Sequence, residues 1–329
     1  MTLKTKILLT CIETIASPLV LLAALVMKFI RYKGVNRLPL CKKILLTIGV
    51  FPINDNYYEP LFNSNQIKRP LSDDRNLPGI DWNRSGQLEI LGKFSYNSEI
   101  MDLPVITRES RRERKKRKQD LAFYINNGSF GPGDAEYLYN IIRLVKPKKI
   151  IEIGSGSSTL MAMKALQANN RELAGFTCKH ICIEPYEMPW LEKTSVTVIR
   201  KKVEDVEKSL FLELSENDIL FIDSSHMIRP QGDVILEYLE LLPLLNKGVI
   251  VHIHDIFSPK DYPASWVKDE VKFWNEQYLL EAFLSSNNEW EIIGALNYLH
   301  HNSYDKLKAT CGYLTPQHEP GSFYIRKIL

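Results

Sequence analysis

Residues 146–160 read Lys-Pro-Lys-Lys-Ile-Ile-Glu-Ile-Gly-Ser-Gly-Ser-Ser-Thr-Leu, and no other stretch limits the fold as much. Ile150, Ile151 and Ile153 form a short β-branched run, the pattern of a buried parallel strand. Gly154 and Gly156 follow at once. Ser157, Ser158 or Thr159 can cap a helix that starts near Leu160. A strand, a glycine turn and a helix N-terminus in series make a nucleotide-type site. Glycine lets a ligand approach the backbone, and the helix start offers free N–H donors. The stretch lacks the third glycine of Gly-x-Gly-x-x-Gly and the Gly-Lys-Ser/Thr of a P-loop. A plain structural turn is the competing reading.

The chain continues in alternating strands and helices. Strands are expected at His180–Ile183, Val196–Ile199, Asp218–Ile222, Lys247–Ile253, Glu289–Leu296 and Ser322–Arg326. Helices are expected at Ala135–Val145 (capped by Asp134), Ser158–Asn169, Gly232–Leu245 and Trp266–Leu284. This alternation predicts an α/β fold with a doubly wound, mainly parallel, seven-stranded sheet. In such a sheet, ligands bind beyond the carboxyl ends of the strands. Four successive ends carry acids or imidazoles where apolar residues would fold as well: Glu152, Glu184, Asp223-Ser-Ser-His226 and His254-Asp255. Each alone could be a cap or turn residue; together they mark a site.

The remainder divides into an extension and a cap. Three regions are expected: 1–43, 44–119 and 120–329. In the first, Ile7–Met27 is apolar apart from Thr10, Glu13, Thr14 and Ser17, and it contains Pro18. Its core, Ile15–Met27, falls short of the roughly 20 residues of a full membrane span. Lys4 and Lys6 precede it; Lys28, Arg31, Lys33 and Arg37 follow, so a span would leave the rest of the chain in the cytoplasm. No small-x-small cleavage site follows, which argues against a signal peptide. A helix in the interface at the inner face of a membrane, or one packed on the domain, are the alternatives. Residues 50–107 read as an irregular cap with a helix near Ser85–Phe94. Arg108–Lys118 holds eight basic residues and two glutamates, read as a solvated helix face before an anionic surface is invoked.

Net charge is only +3 and no aromatic residue interleaves with the basic run, so no nucleic-acid partner is expected. Cys11, Cys41, Cys178, Cys182 and Cys311 are odd in number and scattered, which points to a reducing compartment. Cys178-Lys-His180-Ile-Cys182 has the spacing of a metal knuckle. It leads into an apolar strand, and buried thiols are the reading taken here.

Residues 120–329 resemble a class I S-adenosylmethionine-dependent methyltransferase of the bacterial small-molecule type. Glu152-x-Gly154-x-Gly156, Asp218–His226 (DILFIDSSH), Gly248–Pro259 (GVIVHIHDIFSP) and Trp274–Phe283 (WNEQYLLEAF) carry the resemblance. Tyr57-Tyr-Glu-Pro60 and Pro78-Gly-Ile-Asp81 extend it to the N-terminal region. It implies a Rossmann-like methyltransferase fold with a reversed last strand, and S-adenosyl-L-methionine as cofactor. Gly154, Ser155 and Gly156 would lie against the methionine part, with Glu152 bracing the loop or the amino group. Glu184 would bind the ribose, Val203–Asp205 with Glu204 would flank the adenine, and Asp223 would face the sulfonium. The acceptor would be a small or lipid-linked molecule methylated at oxygen, with a membrane surface as a further partner through the N-terminal segment.

Asp223, His226, His254 and Asp255 are the catalytic candidates, with a histidine as base because imidazole titrates near neutrality. Asp223, His254 and Asp255 could instead hold a divalent metal, and imidazole would suit zinc, iron or manganese better than magnesium. His252 is assigned to the face opposite His254 with a structural role. Trp274 and Tyr278 are expected on one helix face, in the core or as a polar lid. A metal-dependent oxygenase on the same fold and a non-catalytic membrane-associated subunit are the alternative functions.

Overall fold

The structure, a computed structural model, describes residues 3–55, 57–61, 66–105 and 121–329. The basic run Arg108–Lys118 and Asn56 lie outside the described residues. The chain forms two compact units, Met1–Arg69 and Pro70–Leu329.

The first unit is built on α1 (Leu3–Lys33) and α2 (Pro39–Ile48). Helix α1 runs through Pro18 without ending. The hydroxyls of Thr14 and Ser17 donate back to the carbonyls of Thr10 and Glu13, so these two side chains need no water. Gly34, at a left-handed φ of 88°, lets the chain turn after Lys33. Pro39 opens α2, and Gly49 ends it in the left-handed conformation with its N–H on the Leu45 carbonyl. A small core of Ile30, Val35 and Leu45 ties the two helices, and Arg31 pairs with Glu59 at 3.0 Å.

The second unit holds the sheet. Its elements are α3 (Arg84–Lys93), α4 (Asp134–Val145), β1 (Lys149–Ile153), α5 (Ser157–Glu172), β2 (Lys179–Ile183) and β3 (Thr197–Ile199). They continue with β4 (Ile219–Ile222), β5 (Ile250–Ile253), α6 (Glu276–Leu284), β6 (Trp290–Ala295), α7 (Leu296–Asn302), α8 (Tyr304–Thr310) and β7 (Phe323–Lys327). The strand order is β3-β2-β1-β4-β5-β7-β6. The first five strands are parallel, and β7 runs antiparallel to both β5 and β6. This is the doubly wound sheet that the alternation predicted.

Both faces of the sheet are covered, which is why its strands read as continuous apolar runs. Ile150, Phe221 and Tyr324 face the core that contains Tyr137, Ile141 and Met161. Ile151, Ile153, Leu220 and Val251 face the opposite core with Val234, Tyr238 and Leu280. Each fully buried isoleucine contributes about 1.5–3 kcal/mol by leaving water. Residues Arg84–Lys93 belong to this unit: the Gln87 amide oxygen accepts from Ala295 N–H at 2.7 Å on β6.

Four local expectations change. The stretch expected as one helix over Trp266–Leu284 is a π-type turn, Ser265–Asp269, an irregular segment, and then α6. Val271 in that segment has a left-handed φ of 53°, a conformation that a β-branched side chain opposes. Gly232–Leu245 is three short helical pieces, Asp233–Leu236, Glu237–Leu241 and Leu242–Leu244. Asp134 does not cap α4; Gly133 precedes the helix, the Glu136 carboxylate accepts from its N–H at 3.0 Å, and Asp134 instead accepts from Ser322 N–H at 2.8 Å. Residues 296–310 form α7 and α8, because Leu299 and Leu307 are buried there.

Candidate active site

Two constellations sit at the carboxyl ends of the strands, and Asp223 belongs to both. The first is a cavity of about 340 Å³ whose lining includes Gly154, Glu184, Val203, Glu204, Asp223 and Arg229. That volume falls in the range of small-molecule sites. The glycine turn is shaped by β4. Gly154 has a φ of 81°, and a Cβ there would meet the Asp223 carbonyl oxygen at 2.0 Å. Gly156 differs: a Cβ there meets only Met188 Cε at 3.8 Å. Glu184, at the end of β2, is 8% exposed. Its carboxylate accepts from the N–H groups of Ser155 (3.3 Å), Tyr186 (3.0 Å) and Glu187 (2.9 Å). The same side chain therefore fixes the glycine loop and lines the cavity.

The second constellation gathers imidazoles and carboxylates from β4, β5 and α6. His226 follows the turn after β4 at a left-handed φ of 58°. Asp233 and Glu237 hold that turn, accepting from Ser225 Oγ (2.7 Å) and Ser224 Oγ (3.1 Å). His226 Nε2 lies 3.4 Å from Asp223 Oδ1 and 3.6 Å from Asp255 Oδ2, and Nδ1 lies 2.7 Å from Glu276 Oε2. His254 Nδ1 lies 3.5 Å from Asp255 Oδ1 and 3.7 Å from Asp223 Oδ1, and Nε2 lies 3.9 Å from Asp134 Oδ2. Asp255 also has a left-handed φ, 60°. All four catalytic candidates are thus linked: each imidazole stands within ion-pair distance of both Asp223 and Asp255.

Charge sets the protonation of this cluster. Burial disfavours the His226 imidazolium, but Asp223 and Glu276 outweigh it and push the group up to about 10. Burial likewise opposes a charged His254, and Asp255, Asp223 and Asp134 raise it well above the usual histidine range. Burial disfavours the Asp223 carboxylate, yet the two imidazoles hold it far below the ordinary range. Asp255 goes the other way: burial, aided by the Asp223 charge, raises it despite His254.

Sequence reasoning singled out Trp274 and Tyr278 but gave no role to Glu276, Asn275 and Gln277 of the same Trp-Asn-Glu-Gln-Tyr block. Trp274 packs against His226 with ring centroids 4.3 Å apart and ring planes tilted by 44°. Asn275 Oδ1 accepts from Ile228 N–H at 2.7 Å. Gln277 Oε1 accepts from Phe257 N–H at 2.7 Å, and its amide donates to the Lys260 carbonyl at 2.7 Å. Tyr278 donates to Asp261 at 3.1 Å. Consecutive side chains of this block clamp the loops after β4 and β5. Trp274 precedes α6, so Trp274 and Tyr278 do not share a helix face.

His252 corrects another expectation. Side chains at i and i+2 of a strand share a face, so His252 lies on the same side as His254, with ring centroids 6.3 Å apart. It is fully buried and stacks on Tyr324 at 4.0 Å, and burial lowers it well below the usual range. Its role is packing. Glu152 is also set apart: it is buried on the α5 side of the sheet and accepts from the Thr159 hydroxyl, which in turn accepts from Gly156 N–H at 3.1 Å. It braces the loop from behind. Of the expected metal residues Asp223, His254 and Asp255, the two aspartates converge with His226 rather than with His254: the ligating atoms of Asp223, His226 and Asp255 lie within 4.8 Å of one another.

Residues 151–256, about a third of the chain, match the family model described as a methyltransferase domain. An uncharacterised protein of Archaeoglobus fulgidus is 29% identical over 181 residues, covering 52% of this chain and 76% of its own. Among solved structures, the O-methyltransferase from Bacillus cereus in complex with SAH is 13% identical; the match covers 72% of this chain and 99% of that one, with a TM-score of 0.40. The magnesium and S-adenosylmethionine form of CmcI is 14% identical, with 61% and 73% covered and a TM-score of 0.35.

Proposed function

We propose that this class I S-adenosylmethionine-dependent methyltransferase, whose methyltransferase domain takes in residues 151–256, methylates an oxygen of a small or lipid-linked acceptor at a membrane surface. The observation that carries this reading is the position of Asp223. Its side chain lines the cavity beside Gly154 and Glu184 and also contacts His226 and His254. A cofactor cavity and a proton-handling cluster thus share one residue.

The cavity fits the cofactor on its own chemistry. After its three backbone N–H bonds, two of them on Oε1, Glu184 keeps one lone pair on Oε2 for a ribose hydroxyl. Lys202, Val203 and Glu204 form the wall on which an adenine ring would rest. Asp223, held ionised, places negative charge where a sulfonium would be attracted. When bound, S-adenosylmethionine supplies a methyl group already activated for in-line displacement. The chain has to align the acceptor, worth roughly 7–11 kcal/mol, and to accept a proton, worth on the order of 10²–10⁴ in rate. Both imidazoles are held protonated, so the base role passes to Asp255, whose raised carboxyl takes a proton most readily. His226 and His254 then act as charged donors that orient Asp223 and Asp255.

One imidazole and two carboxylates also suit a divalent cation. Asp223, His226 and Asp255 would hold it, and it would lower the acidity threshold of an acceptor hydroxyl. His226 would have to shed its proton first.

The membrane part of the reading rests on α1. Residues Thr5–Lys33 include an 18-residue window of mean hydropathy 2.1, none of it buried. Ile15, Leu19 and Leu22 are 76%, 69% and 61% exposed. Twenty-nine residues of helix reach roughly 43 Å, enough to cross the hydrocarbon core.

The test is calorimetric titration of the full chain, in detergent, with S-adenosylmethionine and S-adenosylhomocysteine. Micromolar binding is expected, weakened at least tenfold by Glu184→Ala. A folded chain that binds neither compound overturns the reading.

A further inference from the structure

Behind the glycine loop, on the sheet face away from the cavity, three different ligating side chains are buried together. Glu152 of β1 is register partner to Cys182 of β2, and His180 lies two residues earlier on the same face. All three are 6% exposed or less. His180 Nε2 lies 3.3 Å from Glu152 Oε1. Cys182 Sγ lies 3.7 Å from Glu152 Oε2 and 3.9 Å from His180 Nε2.

We propose that Glu152, His180 and Cys182 form a tetrahedral site for a zinc-type divalent ion, separate from the Asp223 cluster. With zinc bonds of about 2.0–2.3 Å to N, O and S, tetrahedral geometry puts the ligand atoms roughly 3.3–3.6 Å apart. The two Glu152 distances are to different carboxylate oxygens; with one ligand atom from each residue the three lie within 4.8 Å of one another, so the site would contract by up to about an ångström around an ion. The donor set, one thiolate, one imidazole and one carboxylate, is borderline-soft and excludes magnesium and calcium by preference.

Two further observations point to a guest. Ser155 Oγ is a buried polar atom without a hydrogen-bond partner. Burial and the Glu152 charge push the Cys182 thiol up, against smaller opposing pulls from the Ser155 and Thr159 hydroxyls, so an ion has to displace the thiol proton itself. A cavity of about 360 Å³, lined by Met163, Gln167, Asn170, Phe176, Cys178 and His180, reaches the imidazole from outside and gives an ion a path in. Thr159 completes the arrangement: it donates to Glu152, the bond that orients a ligating carboxylate.

Binding is a proton exchange. The metal–sulfur bond forms as the Cys182 S–H bond breaks, and the proton leaves to the buffer. No electron is transferred. Through Thr159, which also accepts from Gly156 N–H, a bound ion would stiffen the glycine loop from behind.

The experiment loads the full chain with cobalt(II) and reads stoichiometry and absorption. One equivalent with a thiolate-to-cobalt charge-transfer band is expected. The band persists in Asp223→Asn, which disables the other cluster, and falls at least tenfold at equal cobalt in both Cys182→Ser and His180→Gln. Proton release of about one per ion accompanies it in a weakly buffered titration. If the thiolate band is absent from the wild-type chain, or survives in folded Cys182→Ser or His180→Gln, the site does not exist. If one variant fails to fold, the other and the wild-type spectrum still decide.

Discussion

Glu276 Oε2 lies 2.7 Å from His226 Nδ1, fifty positions away in the chain. The contact is doubled at the backbone, where the His226 carbonyl accepts from the N–H groups of Asn275 (3.0 Å) and Glu276 (3.2 Å). Tyr238 donates to the other carboxylate oxygen at 3.0 Å. The start of α6 therefore fixes both the position and the charge of the imidazole after β4.

Glu276→Gln removes the charge and keeps the shape. The His226 midpoint should fall from about 10 toward the ordinary histidine range, and the domain should lose about 3 kcal/mol, the cost of breaking a buried pair. Imidazole titration by NMR and urea unfolding measure the two. A midpoint that stays near 10 would show that Asp223 alone charges His226.

The same shift makes stability depend on pH. His226 binds its proton more tightly folded than unfolded, so its contribution is complete below about 6.5 and is lost as pH rises through about 10. The difference in Tm between wild type and His226→Gln should therefore shrink from pH 6 to pH 10.5. A difference that stays constant over that interval contradicts the assignment.

The two loop glycines should separate folding from binding. Gly154→Ala drives a Cβ into the Asp223 carbonyl at a left-handed φ, and the domain should lose more than about 2 kcal/mol or fail to accumulate. Gly156→Ala meets open space, so Tm should change little while S-adenosylmethionine binding weakens at least tenfold. Thermal melts beside calorimetry make the comparison. Equal destabilisation by both would mean that Gly156, too, is only a turn residue.

Helix α1 should behave as a membrane segment. The full chain should stay in the membrane pellet through an alkaline wash. Replacing Leu19 and Leu22 by Arg adds roughly 2.5–3.5 kcal/mol each at a helix centre and should release it to the supernatant. Release of the wild type by the same wash would leave at most an interfacial contact.

The sheet was legible because both its faces are covered. Ile219–Ile222 is apolar throughout and Ile150–Ile153 is apolar but for Glu152, and each runs into a turn or polar residue, a pattern that needs no tertiary knowledge. Asp223, His226, His254 and Asp255 were legible as strand-end residues for the same reason. The Trp274–Tyr278 block was not, because its partners lie in other loops: His226, Phe257, Lys260 and Asp261. The break before α6 was hidden because Val271 takes a backbone conformation that its own side chain disfavours. Residues 296–310 are rich in His, Asn and Tyr, weak helix formers, and are held helical by burial of Leu299 and Leu307 rather than by propensity. His252 was placed on the wrong face through a mistaken parity, not through any ambiguity in the chain.

Strand β7 lies between β5 and β6 and hydrogen-bonds to both. During synthesis, α1 emerges some 300 residues before β7 does. The chain would meet the bilayer first, and the catalytic sheet would remain split, with the unpaired edge of β5 awaiting its neighbour, until Phe323–Lys327 had left the ribosome. In that interval the open edge of β5 needs shielding from other growing chains.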